Sequence, residues 1–177
     1  MVGLLWAAGV ILGAAGLSKL ARPAPTGYAL KAARIPGAGF LASTTMVRVA
    51  GLAEIGVAGY VLGWGGSAAA ALLGVCYLIL SVVAWRMLRV SPSQDCGCFG
   101  GSSEPITRWH LLVDVAGLAI GVAATLWPQP SVVDEVTDQG AQGVLLVGLS
   151  LLLAWLCYLL MTALPALATL RAKVADR

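Results

Sequence analysis

Three uncharged apolar runs, Val2–Leu17, Ala68–Trp85 and Val144–Leu164, constrain this chain more than any other feature. Runs near 20 residues match the ~30 Å hydrocarbon core of a bilayer when wound as helix. A lipid-exposed backbone must satisfy its own hydrogen bonds, so a run of this length spans as an α-helix. Composition closes off the soluble alternative. The chain is 59% hydrophobic and 11% charged, whereas a soluble domain carries about a quarter charged residues. We therefore expect one all-α membrane domain over residues 1–177, a polytopic helical bundle with the lipid bilayer as its first partner.

Five spans are expected, at about 2–20, 46–64, 68–85, 107–127 and 144–164. No basic residue precedes the apolar run Val2–Leu17, and Lys19 and Arg22 follow it, which favours a retained span over a cleaved leader. Gly9 and Gly13 stand at the spacing that lets helix backbones approach in lipid. The connection Ala21–Thr45 carries Pro23, Pro25 and Pro36. A short interfacial helix is expected near Tyr28–Arg34, ended by Pro36 and Gly37. Gly65-Gly66-Ser67 is a tight turn. Pro128–Gly143 is an acidic loop, and Pro165 and a basic tail follow the last span.

Charge sets the expected orientation. All 11 Lys and Arg fall in or beside Ala21–Thr45, Val90–Ile106 and the C-terminus, and the opposite connections hold none. The positive-inside rule then puts the N-terminus outside, and the C-terminus and the Val90–Ile106 loop in the cytoplasm of a bacterial inner (plasma) membrane. The net charge of +3 leaves no footprint for nucleic acid, and no such partner is expected.

The chemistry is concentrated in Asp95-Cys96-Gly97-Cys98-Phe99-Gly100-Gly101. Two thiols one residue apart form a redox dithiol, half of a soft-metal site, or a structural pair. Gly97 tolerates the bent backbone that so short a disulfide ring requires. A strained disulfide is easier to reduce, which suits exchange rather than a permanent staple. Arg86, Arg89 and Arg108, with the start of span four, favour the thiolate, and Asp95 opposes it. Phe99 offers a docking contact or tucks into the interface. A zinc or copper site would need further ligands. The chain has a single histidine, His110, which excludes a multi-histidine site. Cys96, Cys98 and His110 could bind a soft ion together, but the dithiol reading ranks above it and no resident metal or other cofactor is expected.

Four other positions carry candidate roles. Glu54 lies inside a span, where a carboxylate is a functional hypothesis. Its structural alternative is an ion pair with Arg48, Lys19 or another basic group. His110 and Asp114 share a helix face. They either satisfy each other or act together, His110 accepting a thiol proton and Asp114 orienting it. Cys76 and Cys157 read as small buried hydrophobes, or as an intramembrane relay, although their depths differ by about 7 Å.

The sequence resembles the MauE family, related to DoxX-type membrane proteins. The resemblance rests on Gly16-Leu17-Ser18-Lys19-Leu20 with Arg22-Pro23, on Glu54 with Gly56, on Asp95-Cys96-Gly97-Cys98-Phe99-Gly100, and on Pro105 with Trp109-His110. It implies a DoxX-like four-helix core with an added C-terminal span. It also implies a protein of methylamine utilisation that works beside a thioredoxin-like partner. The namesake supports maturation of the small subunit of methylamine dehydrogenase, a disulfide-rich extracytoplasmic protein. That role points outward, while the charges put Cys96 and Cys98 inside. A carrier passing reducing equivalents across the membrane would reconcile the two, with Cys76 and Cys157 as stepping stones. The leading expectation is thiol–disulfide exchange through Cys96 and Cys98. The alternatives are a non-catalytic assembly subunit that binds another membrane subunit, and a copper or zinc handler.

Overall fold

The computed structural model describes residues 1–91 and 106–175, with side chains described as far as residue 163. Among the described residues eight helices follow one another: α1 (Val2–Ala21), α2 (Pro23–Ala32), α3 (Ala38–Leu41), α4 (Thr44–Gly63), α5 (Gly66–Val90), α6 (Arg108–Leu126), α7 (Val132–Gln139) and α8 (Ala141–Ala175). Five of them, α1, α4, α5, α6 and α8, are long and apolar enough to cross a membrane. The chain is thus an all-α, multi-pass membrane protein.

Local sequence explains most of the boundaries. Pro23 opens α2 because a first-turn proline loses no needed N–H, so this helix starts earlier than the expected Tyr28. The Ser43 hydroxyl accepts from the Met46 N–H at 3.3 Å and caps α4. Gly65 and Gly66 both have positive φ at the α4–α5 turn. A Cβ on Gly65 would lie 2.7 Å from the Gln129 carbonyl oxygen. The Gly66 N–H donates to that same oxygen at 2.9 Å, tying the turn to the chain leaving α6.

Three extents differ from expectation. Span three continues past Trp85 to Val90, because Arg89 lies over the Trp85 ring at 5.1 Å instead of ending the helix. The acidic loop contains α7, capped where the Asp134 N–H donates to the Ser131 hydroxyl at 3.1 Å. Helix α8 begins at Ala141 and continues beyond Pro165 to Ala175.

Helices α1, α4, α5 and α6 form a four-helix bundle around Leu5, Ala8, Leu12, Val61, Leu73, Tyr77 and Ala124. Lipid tails are as apolar as the core, so close packing must hold the helices together. Gly16 and Gly51 mark the closest approach of α1 and α4. A Cβ on Gly16 would sit 2.6 Å from the Gly51 carbonyl oxygen, and one on Gly51 would sit 2.7 Å from that of Gly16. Gly74 and Gly121 do the same for α5 and α6, where a Cβ on Gly121 would lie 2.7 Å from the Gly74 Cα. Helix α8 packs outside this square, its Ala154 and Met161 against Ala7 and Ile11 of α1. Helix α1 is therefore central: half of its spanning window is buried, against 17% for α8.

Candidate functional site

Every charged or redox-capable side chain in the bundle must be accounted for, because lipid offers it no solvation. Lys19 and Glu54 answer to each other. The Lys19 Nζ donates to Glu54 Oε1 at 2.5 Å and to Oε2 at 2.6 Å. The residues are 4% and 8% exposed. The glycine crossing explains why they meet. A Cβ on Gly16 would lie 3.1 Å from the Glu54 Cβ, and one on Gly51 would lie 3.1 Å from the Lys19 Cβ. Of the partners considered for Glu54, Lys19 is the one found, and Arg48 is exposed instead.

His110 is buried in the first turn of α6. The Thr107 N–H donates to its Nδ1 at 3.2 Å, and the Thr107 hydroxyl lies 3.0 Å from the same nitrogen. A backbone N–H can only donate, so Nδ1 accepts this bond. The imidazole thus completes a capping box. His110 and Asp114 both line a cavity of about 20 Å³, closed by Ile11, Leu12, Ala15, Tyr77, Leu80 and Met161. Its lining is mostly apolar, with His110 and Asp114 as the polar side chains in it, and its volume is about that of one water.

Tyr77 closes the cavity from α5. Its hydroxyl donates to the Ala8 carbonyl at 2.8 Å. A Cβ on Gly117 would fall 2.6 Å from its ring, so the ring reaches α1 only because α6 carries no side chain there.

The thiols divide. Cys76 packs against the four-helix core, while Cys157 packs against the separate cluster of α1 and α8. Helix α1 stands between them, giving Leu5, Ala8 and Leu12 to one cluster and Ala7 and Ile11 to the other. Cys96, Gly97, Cys98 and Phe99 lie outside the described residues. The two residues that flank that stretch are described, and both meet α2. The Ser91 hydroxyl donates to the Ala32 carbonyl at 3.3 Å. Ile106 is buried with Ala29, Ala33, Ala84 and Met87. Arg86 fastens the same corner, donating to the carbonyls of Ala33 at 3.4 Å and Arg34 at 3.3 Å. Arg108 opens α6 beside this corner and is exposed.

Tyr77, Arg86, Ser91 and Thr107 are structural participants that the sequence alone did not single out as partners. Thr107 carried a readable signal, a hydroxyl three residues before a side chain able to return its hydrogen bond. Among the described residues, no three His, Cys, Asp or Glu side chains gather as a metal would require.

One family model matches, that of the methylamine utilisation protein MauE, over residues 1–128. The matched stretch holds all four helices of the bundle and stops before α7. No curated protein and no solved structure matches the chain.

Proposed function

The chain belongs to the MauE family, and from that premise we propose that it is an integral membrane thiol–disulfide exchange protein with Cys96 and Cys98 as the exchanging pair. The observation that carries this reading is the double attachment of their segment to one corner. Ser91 before it and Ile106 after it both rest on α2. Such anchoring would hold a dithiol at one end of the bundle, among Arg86, Arg89 and Arg108, where positive charge favours thiolate.

The exchange balances without any further reagent. A thiolate of the reduced pair attacks a disulfide of a thioredoxin-like partner, forming a mixed disulfide and expelling one partner thiolate. The second cysteine then attacks the mixed bond and releases the reduced partner, leaving Cys96–Cys98 oxidised. Two electrons pass to the partner, and the two thiol protons leave the pair. Run backwards, the same steps oxidise the partner. The partner would in turn set the disulfide state of an extracytoplasmic client, which in the namesake's case is the methylamine dehydrogenase small subunit. The membrane is the bacterial inner membrane, with the N-terminus outside and the basic end in the cytoplasm.

Trapping tests the reading. A thioredoxin-like partner lacking its resolving cysteine should be captured on Cys96 or Cys98, and the adduct should be visible by mass spectrometry. No adduct with either cysteine sinks the proposal.

The second reading is a non-catalytic assembly subunit. It is favoured by the outer face of α4, where a Cβ on Gly56, Gly59 or Gly63 would touch nothing within 4 Å. These glycines leave a smooth strip able to receive another membrane helix. The Cys96→Ser/Cys98→Ser double variant separates the readings. Loss of client maturation supports exchange, and full retention supports assembly.

A further inference from the structure

The basic end of the bundle carries a shelf outside the spans, made of α2 and α3. Its inner side is small: Gly27, Ala29 and Ala33 are buried, and a Cβ on Gly27 would lie 2.7 Å from the Ala42 carbonyl oxygen. Its outer side is exposed and of one character. Tyr28 and Lys31 lie three residues apart on α2 and so share a face. Arg22 precedes that helix, Arg34 follows it, and all four side chains are exposed. Phe40 of α3 is 67% exposed and Tyr28 is 65% exposed. Aromatic rings beside cations at the ends of spans are the composition of a membrane–water interface.

The shelf segment carries basic residues and no acidic one. Glu54 is the first acidic residue of the sequence, and Lys19 already holds both of its oxygens. Lys19 and Glu54 are joined as an ion pair. The described acids other than Asp114, namely Asp134, Glu135 and Asp138, belong to α7. Helix α7 follows the opposite end of α6, across the membrane from the shelf. The carbonyls at the end of α2 are committed as well, since Arg86 and Ser91 donate to them. Arg22, Lys31 and Arg34 are thus exposed cations at the end of the spans.

We propose that the α2–α3 shelf is a binding surface for anionic phospholipid headgroups, with Arg22, Lys31 and Arg34 contacting phosphate and Tyr28 and Phe40 seated at the acyl boundary. The surface is specific to lipid over free phosphate because its cations sit beside exposed rings that only acyl chains cover. Attraction to an anionic surface weakens roughly fivefold for each basic residue lost near it. The proposal is independent of the thiol chemistry and of which side the shelf faces, since detergent-purified protein presents it either way.

Native mass spectrometry of the full chain, purified in mild detergent and offered equal amounts of phosphatidylglycerol and phosphatidylcholine, tests this directly. The wild type should retain phosphatidylglycerol in several-fold excess. The Arg22→Gln/Lys31→Gln/Arg34→Gln variant should lose that excess. The charge-keeping Arg22→Lys/Arg34→Lys variant should retain it, which separates charge from fold. The Asp134→Asn/Glu135→Gln/Asp138→Asn variant should match the wild type. Equal retention of both lipids by the wild type overturns the proposal. So does an excess that survives loss of all three cations. Displacement of the lipid by millimolar inorganic phosphate overturns it in favour of a free-phosphate site.

Discussion

Replacing Glu54 with Gln removes the carboxylate that Lys19 holds through two short contacts of 2.5 and 2.6 Å. It leaves an ammonium on a residue 4% exposed, with no acid left to neutralise it. Two magnitudes bracket the cost. Interhelical hydrogen bonds in a bilayer average about 0.6 kcal/mol and reach about 1.7. Stripping one member from a buried ion pair costs about 3–5 kcal/mol, because the other charge stays buried. Burial on both partners and the twofold contact place Lys19–Glu54 in the second class. We expect Glu54→Gln and Lys19→Met each to cost about 3 kcal/mol, roughly a hundredfold in the folding equilibrium. The Lys19→Met/Glu54→Leu double variant should fall within about 1 kcal/mol of the wild type, since neither charge then remains. Reversible unfolding in bicelles, followed by helical circular dichroism, gives all three values and their coupling. If the double variant costs the sum of the singles, the two residues are not acting as a pair. If either single costs less than an ordinary bilayer hydrogen bond, the site is wetter than its burial states.

Two further outcomes follow from the same geometry. Tyr77→Phe removes one buried hydroxyl contact at 2.8 Å and should cost about 1 kcal/mol. Gly117→Ala forces a methyl to 2.6 Å from the Tyr77 ring and should cost more, about 1–3 kcal/mol. The same unfolding assay ranks them, and the reverse order would mean the ring is not clamped by α6. Arg86→Ala should release α2 from α5 while leaving the four-helix bundle intact. Hydrogen exchange should then quicken across Pro23–Ala32 and stay slow in the buried half of α5; unchanged protection of α2 would assign its docking to Ala29 and Ala33 alone.

The bundle was legible because membrane spans announce themselves by length and polarity. Hydropathy located all five spans, and Gly9 and Gly13 in span one pointed to close packing. Lys19 stood among the possible partners of Glu54, but choosing it over Arg48 required the helix crossing at Gly16 and Gly51. Tyr77 was illegible for a physical reason: its partner is a backbone carbonyl 69 residues away, and no side-chain pattern encodes that. Helix α7 was hidden among Pro128, Pro130 and acidic residues, although Ser131 and Asp134 stand at capping-box spacing. The last turn of α5, from Arg86 to Val90, lay outside the expected span because Arg86 and Arg89 interrupt the uncharged run. Arg86 bonds the carbonyls of Ala33 and Arg34 just past α2, and Arg89 covers Trp85. The sequence does distinguish the thiol segment, but Cys96 and Cys98 themselves lie outside the described residues.

The fixed positions of Ser91 and Ile106 also set a leash length. Cys96 is five residues beyond Ser91, and Cys98 is eight before Ile106. A fully extended chain covers at most about 3.3–3.6 Å per residue. Cys96 thus ranges no farther than about 18 Å from Ser91, and Cys98 no farther than about 29 Å from Ile106. Counted from Ser91, the bound for position 98 is seven residues, or about 25 Å. Neither leash crosses a hydrocarbon core of about 30 Å. In the proposed exchange a partner would therefore have to come to the end of the bundle where Ser91 and Ile106 are fixed, since the chain between them is too short to carry the pair to the other.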